Sequence, residues 1–157
     1  MNDKLIFDWT EYFGTQSNQN YDDVHANDIE ITSDGLIYIV GYTESAIEGA
    51  DNQPPSDDSA FIRKYDSNLN HLSTEYFGTP SNQNDDNVHA YDLELISDGS
   101  IYIVGYAESA IAGVDNHNQP PSDNSAFIRK YDSNLNHLST EYFGTPSDQN
   151  DDDVYAS

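Results

Sequence analysis

One phrase is written three times along the chain. "TEYFGTQSNQNYDDVHA" begins at Thr10, "TEYFGTPSNQNDDNVHA" at Thr74 and "TEYFGTPSDQNDDDVYA" at Thr140. Gly14 and Gly78 are 78 − 14 = 64 residues apart, and Gly78 and Gly144 are 144 − 78 = 66 apart, the extra two being His117 and Asn118. With those two set aside, 52 of the 64 positions in 10–73 are identical to their counterparts in 74–139. Position n of the first period therefore corresponds to n + 64 as far as Asn52 and to n + 66 from Gln53 onward. Whatever one period folds into, the next must fold into as well. A period this long, kept this closely, marks a supersecondary unit that covers its faces with its neighbours.

Within a period the chain reads as four short strands. "VHAYDLEL" is the first, and "ISDGS" after it carries the Asp-Gly pair of a tight hairpin. "IYIVGYAES" is the second, followed by "AIAGVDNHNQPPSDNS", whose Pro-Pro and Asn/Asp content excludes helix and strand alike. "AFIRKYD" is the third, and "SNLN" turns the chain into the fourth, "HLSTEYF". No window has helical periodicity between caps. The expected fold class is all-β, with four antiparallel strands per repeat arranged as β-propeller blades. Ile101, Tyr102, Ile103 and Val104 are apolar in succession, as a strand covered on both faces by neighbouring blades requires. A parallel β-helix, the rival repeat fold, has much shorter rungs.

"DLELISDGSIYIVGYAES" followed by "SAFIRKYDSNLNHLSTEYFGT" resembles the seven-bladed β-propeller repeat family abbreviated SBBP. Repeats of that family run from an apolar strand through an Asp-Gly turn, a Gly-Tyr-Thr-Glu-Ser-like strand and an Ala-Phe strand to a closing glycine pair, for which this chain has "FGT". The resemblance spans the chain from about Leu5 to Ala156. It implies a bacterial, extracellular or cell-surface propeller with no assigned catalytic activity.

Labelling the strands of a blade A to D outward from the axis, the thrice-written phrase is strand D of one blade, the crossing loop and strand A of the next. The expected organisation is an outermost strand of a preceding blade in 1–13, blade one in 14–77, blade two in 78–143 and the start of a further blade in 144–157. That arrangement is expected of a fragment of a longer array. Its expected partners are further blades of the same polypeptide or other copies of the chain, because leftover strands present unpaired edges.

Strand alternation puts the A-to-B and C-to-D turns at one end of a blade and the longer B-to-C and D-to-A loops at the other. The loop end collects Asp22, Asp23, Glu44, Glu48, Asp51, Asp57 and Asp58 from blade one, and Asp85, Asp86, Glu108, Asp115 and Asp123 from blade two. Long loops at one end of a rigid scaffold are the usual place for binding. The expected candidate surface is therefore this acidic loop face, represented by Asp22, Asp23, Asp51, Asp57, Asp85, Asp86, Asp115 and Asp123.

Charge narrows the ligand. The 29 acidic residues against 5 basic ones give a formal net charge of −24, a surface that repels nucleic acid and anionic lipid. The longest apolar run is five residues, "LIYIV", so no membrane-inserting segment is expected. There is no cysteine. No cofactor is expected other than calcium, whose hard-cation chemistry matches the alternating oxygens of Asn82, Asn84 and Asp86 and of Asp148, Asn150 and Asp152. The second stretch has Asn87 and Leu93 where an EF-hand loop needs Gly and Glu, and a solvated turn explains the same residues.

Histidines and carboxylates in the strands read as structure. His25 and His89 match each other, but the third copy has Tyr155 there, so packing or hydrogen bonding is expected of them. His71 and His137, just after the "SNLN" turn, are expected to be exposed. Asp28 with Asp92, and Glu30 with Glu94, recur in strand A, where a carboxylate is expected to accept a backbone hydrogen bond. No triad setting or phosphate loop is present. The expected function is a non-catalytic binding or adhesion scaffold for protein or glycan. The alternatives are a structural spacer of a surface layer, and part of an enzyme whose active site lies in other blades.

Overall fold

The computed structural model describes residues 12–15, 23–50, 54, 58–79, 87–114 and 124–144. They form eight strands and, among the described residues, no helix: β1 (Val24–Ile31), β2 (Ile37–Thr43), β3 (Ser59–Tyr65), β4 (His71–Phe77), β5 (Val88–Leu95), β6 (Ile101–Ala107), β7 (Ser125–Tyr131) and β8 (His137–Phe143). Strands β1 to β4 make one antiparallel sheet in chain order and β5 to β8 another; neither closes on itself. The four-strand reading of each repeat holds at every strand.

The turn at the end of β1 is not a two-residue Asp-Gly hairpin. Gly35 donates its N–H to the Thr32 carbonyl at 2.9 Å and has φ +89°, and Gly99 repeats this with Ile96 at φ +86°. Glycine thus follows the two central residues and takes the left-handed position that closes a three-residue hairpin loop. The "SNLN" turns use the same geometry with leucine in glycine's place: Leu69 has φ 63° and Leu135 φ 64°. That costs roughly 1 kcal/mol per residue. Burial of Leu135, only 3 % exposed within the core, offsets it. Asp66 completes the turn by accepting from the Asn68 and Asn70 N–H groups at 2.8 and 2.9 Å and from the Asn70 amide at 2.8 Å. These bonds hold its carboxyl below the ordinary range, the Asn70 side chain contributing most.

Strand register divides each sheet into two faces. On the first sheet Val24, Ala26, Ile29, Ile31, Ile37 and Ile39 share the front, while Tyr38, Val40, Ala60, Ile62 and Phe77 share the back. That back packs on the front of the second sheet, on Val88, Ala90, Leu93, Ile101, Ile103, Phe127 and Tyr131, to make one core. Main-chain and side-chain bonds lock the pair. Lys64 Nζ donates to the Ser133 carbonyl at 2.7 Å, Val88 N–H to the Asp58 carbonyl at 3.0 Å, and the Asn27 amide to the Ala90 carbonyl at 2.7 Å.

Coverage on both faces, expected for each second strand, is present on one side only. β2 buries Tyr38 and Val40 on its back, but Ile37 and Ile39 on its front are half-buried. β6 reverses this, burying Ile101 and Ile103 while Tyr102 and Val104 are half-buried. The two repeats are nearly the same sequence in two different environments.

A second element joins the repeats. Phe77 at the end of β4 reaches past its own sheet, its ring 5.9 Å from Phe127 at 88° and 6.1 Å from Tyr131, with the Arg129 guanidinium over it at 5.1 Å. Phe13, one period earlier, sits in the same way on the first sheet, 6.2 Å from Phe61 at 85° and 6.3 Å from Tyr65, beneath Arg63 at 5.4 Å. The following residues agree: Ala112 N–H bonds the Gly78 carbonyl at 2.7 Å, and Glu48 N–H bonds the Gly14 carbonyl at 2.8 Å. The end of β4, and Phe13 one period before it, therefore belong to the packing of the sheet that follows them.

Candidate functional site: the acidic loop end

Antiparallel order places the turns 32–36 and 66–70 at one end of the first sheet and the connections 44–58 and 78–87 at the other. The described acidic residues of the loop end are Asp23, Glu44, Glu48, Asp58 and Glu108. The SDG turns of Asp34 and Asp98 lie at the opposite end, as the alternation of antiparallel strands requires. Of the expected binding residues only Asp23 is among those described. Asp22, Asp51, Asp57, Asp85, Asp86, Asp115 and Asp123 lie outside the described residues, as do the calcium-like sets Asn82 and Asn84 with Asp86, and Asp148, Asn150 and Asp152. Among the described residues no group of three or more His, Asp or Glu side chains is placed to hold a metal ion.

The mouth of each loop is tied the same way. Glu44 N–H bonds the Asp23 carbonyl at 3.2 Å, and the Asp23 N–H returns a bond to Glu44 Oε2 at 3.4 Å. In the second repeat Glu108 N–H bonds the Asn87 carbonyl at 3.0 Å, and Asn87 N–H bonds Glu108 Oε2 at 2.9 Å. In each repeat the glutamate that opens the loop after the second strand is thus pinned to the residue that leads into the first.

Asp58 brings the two loop ends together. Its Oδ2 lies 2.8 Å from His89 Nε2, while its Oδ1 is buried with no hydrogen-bond partner among the described residues. His89 also stacks on Tyr42 at 3.6 Å and meets Tyr106 edge-on at 4.9 Å, and Tyr42 stacks on His25 at 4.5 Å. The loop end therefore carries a column of rings, His25, Tyr42, His89 and Tyr106, running across both sheets. Burial raises the Tyr42 hydroxyl above its ordinary pKa, and the carboxylates of Asp58, Glu44 and Asp23 push the same way. Chemically this end combines hydrogen-bond acceptors, negative charge and flat ring faces. The packed role expected of His25 and His89 is what the rings perform.

His71 and His137 differ from expectation. Both are half-buried, with Nε2 at 2.9 Å from Thr74 and Thr140 Oγ1 respectively, and with ring edges against Tyr65 and Tyr131. The turn before them folds the chain straight back onto the sheet, so the first residue after it is already in the strand. Burial, and then the Arg129 charge, lower the pKa of His137.

Sequence reasoning passed over Arg63 and Arg129. Both are buried. Arg63 donates from Nε to the Tyr65 hydroxyl at 2.7 Å, from Nη1 to Thr74 Oγ1 at 2.8 Å and from Nη2 to the Glu48 carbonyl at 3.1 Å, and Arg129 repeats the first two bonds with Tyr131 and Thr140 at 2.7 Å. Neutral acceptors and ring faces, rather than carboxylates, hold these two cations. The signal for it was the fixed triplet Arg-x-Tyr within an apolar strand.

Asp28 and Asp92 meet where β1 and β5 adjoin. Asp28 Oδ2 accepts the Leu93 N–H at 2.9 Å, the backbone bond expected of a strand A carboxylate. The Asp92 carboxyl is raised above its ordinary value, first by a hydrogen bond shared with Asp28, then by burial and the Asp28 charge. A carboxyl raised in the folded state favours folding when protonated, and that contribution is lost as pH rises through the folded pKa. At neutral pH the pair therefore opposes docking of the sheets. Asp92→Asn keeps a donor toward Asp28 and removes the repulsion. We expect it to raise the melting temperature at neutral pH, with the gain shrinking as pH falls into the carboxylate range, read from thermal melts across pH.

A groove of about 490 Å³ opens at the opposite, turn end, lined in part by Glu30, Thr32, Asp34, Tyr38, Ser97 and Ser100. It lies between the two SDG turns and away from the acidic loops. No protein-family model matches the chain, and no curated protein matches it.

Proposed function

We propose that the chain is a pair of β-propeller blades from a secreted or cell-surface protein, acting as a non-catalytic scaffold that binds a protein or glycan ligand through its acidic loop end. The observation that carries this reading is the duplication of the loop mouth. Glu44 and Glu108 pin equivalent loops with equivalent bonds, and the Asp58 to His89 contact sets the two ends side by side. Two like sites on one body suit a repetitive ligand, because the second engagement is intramolecular. Acceptors beside ring faces suit sugar hydroxyls and cationic side chains, and a net charge of −24 excludes polyanions as the ligand.

Glycan and protein arrays probed with the whole chain, once with calcium and once with a chelator, test it. The expected result is capture of a cationic protein or a glycan that weakens in the double variant Glu44→Gln with Glu108→Gln. Capture in calcium alone would assign the ligand bridge to the cation. Absence of any ligand in both conditions, or equal capture by the double variant, would overturn the reading.

A further inference from the structure

The faces left open at the two ends of the stack are copies of the two faces that pack together in its middle. Leu93, 3 % exposed at the centre of the internal interface, corresponds to Ile29, 53 % exposed on the front of the first sheet. Ile101 and Ile103 are likewise buried, whereas their counterparts Ile37 and Ile39 are only half-buried. On the other partner, Val40 and Ile62 are fully buried, while Val104 and Ile128 on the back of the second sheet are only half-buried. We infer that the front of the first sheet is a docking surface for the back of the second sheet of another copy of this chain, joined head to tail in the geometry of the internal interface.

The polar partners are in place as well as the apolar ones. Lys64 Nζ bonds the Ser133 carbonyl, and the counterparts are Lys130 and Ser67. Asp28 accepts from Leu93 N–H, and the counterparts are Asp92 and Ile29. Val88 N–H bonds the Asp58 carbonyl, and the counterparts are Val24 and Asn124. Two features are not copied. The Asn27 amide that reaches Ala90 becomes Tyr91, and the Asp58 that faces His89 becomes Asn124 opposite His25, so the contact between copies carries no carboxylate–imidazole contact there. The outermost seat is taken too, since Phe13 occupies on Phe61 and Tyr65 the place that Phe143 of an incoming copy would need. Ser59, Phe61, Arg63 and Tyr65 on the front of β3 are already buried as well, so β1 and β2, with Ile29, Ile31, Ile37 and Ile39, carry the front side of the contact.

The surface is heterologous: front meets back, and each copy keeps one of each open. Charge opposes it. Every copy brings a formal −24, so salt should strengthen the association by screening.

Sedimentation of the full chain and two single variants decides the matter. Ile29→Glu blocks the front and Val104→Glu blocks the back; each places an unpaired carboxylate in the contact and should weaken self-association more than about a hundredfold. Each variant alone should then sediment as a monomer, and their mixture should form a one-to-one pair that grows no further. Circular dichroism melts confirm that each remains folded, and Tyr102→Glu serves for the back should Val104→Glu disturb the sheet. A parent chain that stays monomeric at every concentration and salt would overturn the inference. So would a Val104→Glu variant that still dimerises, which would mean front meeting front, or a mixture that fails to pair.

Discussion

Gly105→Ala is expected to cost about 3 kcal/mol, the upper part of the usual range for overpacking, and to lower the melting temperature by roughly 10 °C. The position has no left-handed backbone to explain its glycine. Its constraint is proximity: a Cβ there would stand 2.0 Å from the His89 carbonyl oxygen and 2.8 Å from the Phe127 ring. The equivalent atom at Gly41 would stand 1.7 Å from the His25 carbonyl oxygen. Both glycines lie opposite a register shift, between Ala26 and Asp28 in β1 and between Ala90 and Asp92 in β5. The extra residue of the bulge presses the first strand's backbone onto the second, and only a residue without a side chain fits beneath it. Relief would need a backbone shift in β5, which also carries Leu93 and His89 at the contact between sheets. Gly113→Ala is the control, with φ +79° but nothing within 4 Å, so it should cost only the roughly 1 kcal/mol of left-handed strain. Chemical denaturation of the two variants beside the parent checks both values. Equal losses would show that close approach at Gly105 is not what demands glycine.

Strands were legible because two independent signals coincide at each of them. Apolar, β-branched and aromatic runs mark β2 and β6, and turn residues bracket them on both sides. Repetition then removes chance, since "SAFIRKY" and "HLSTEYF" recur unchanged as β3 with β7 and β4 with β8. The separation of turns from acidic loops followed from alternation alone. Environment was another matter. Tyr38 and Tyr102 sit in the same local phrase, yet one is buried under a second sheet and the other is half-exposed. No local pattern can express that difference, because it depends on which repeat stands next to which face. Arg63 and Arg129 were passed over for a similar reason: the hydroxyls that hold them come from two residues along the same strand and eleven along the chain, and one of the two rings over each comes from the preceding repeat. A glycine inside an apolar strand was the available signal for the bulge contact, and it was legible in "IYIVGY".

Phe77→Ala should be more damaging still, by about 3–5 kcal/mol, whereas Phe143→Ala should stay within about 1 kcal/mol. The two phenylalanines end identical strands of identical sequence. Phe77 is 2 % exposed and Phe143 is 46 % exposed. Removing the Phe77 ring empties a seat between Phe127 and Tyr131 and strips the Arg129 guanidinium of one of the two ring faces that accompany its neutral hydrogen bonds. Cavity and cation then add, because the buried arginine hydrogen-bonds neutral hydroxyls and the lost face was part of what replaced its hydration. Phe13→Ala should fall between the two, since Phe13 makes the same contacts on the first sheet but is only half-buried. The order Phe77, Phe13, Phe143 thus measures how far each repeat is packed on the one before it, and guanidinium denaturation of the three variants reads it directly. Should Phe77→Ala and Phe143→Ala cost the same, the fourth strand would be packing on its own sheet alone, and the coupling of one repeat to the next would have to lie elsewhere than in this ring.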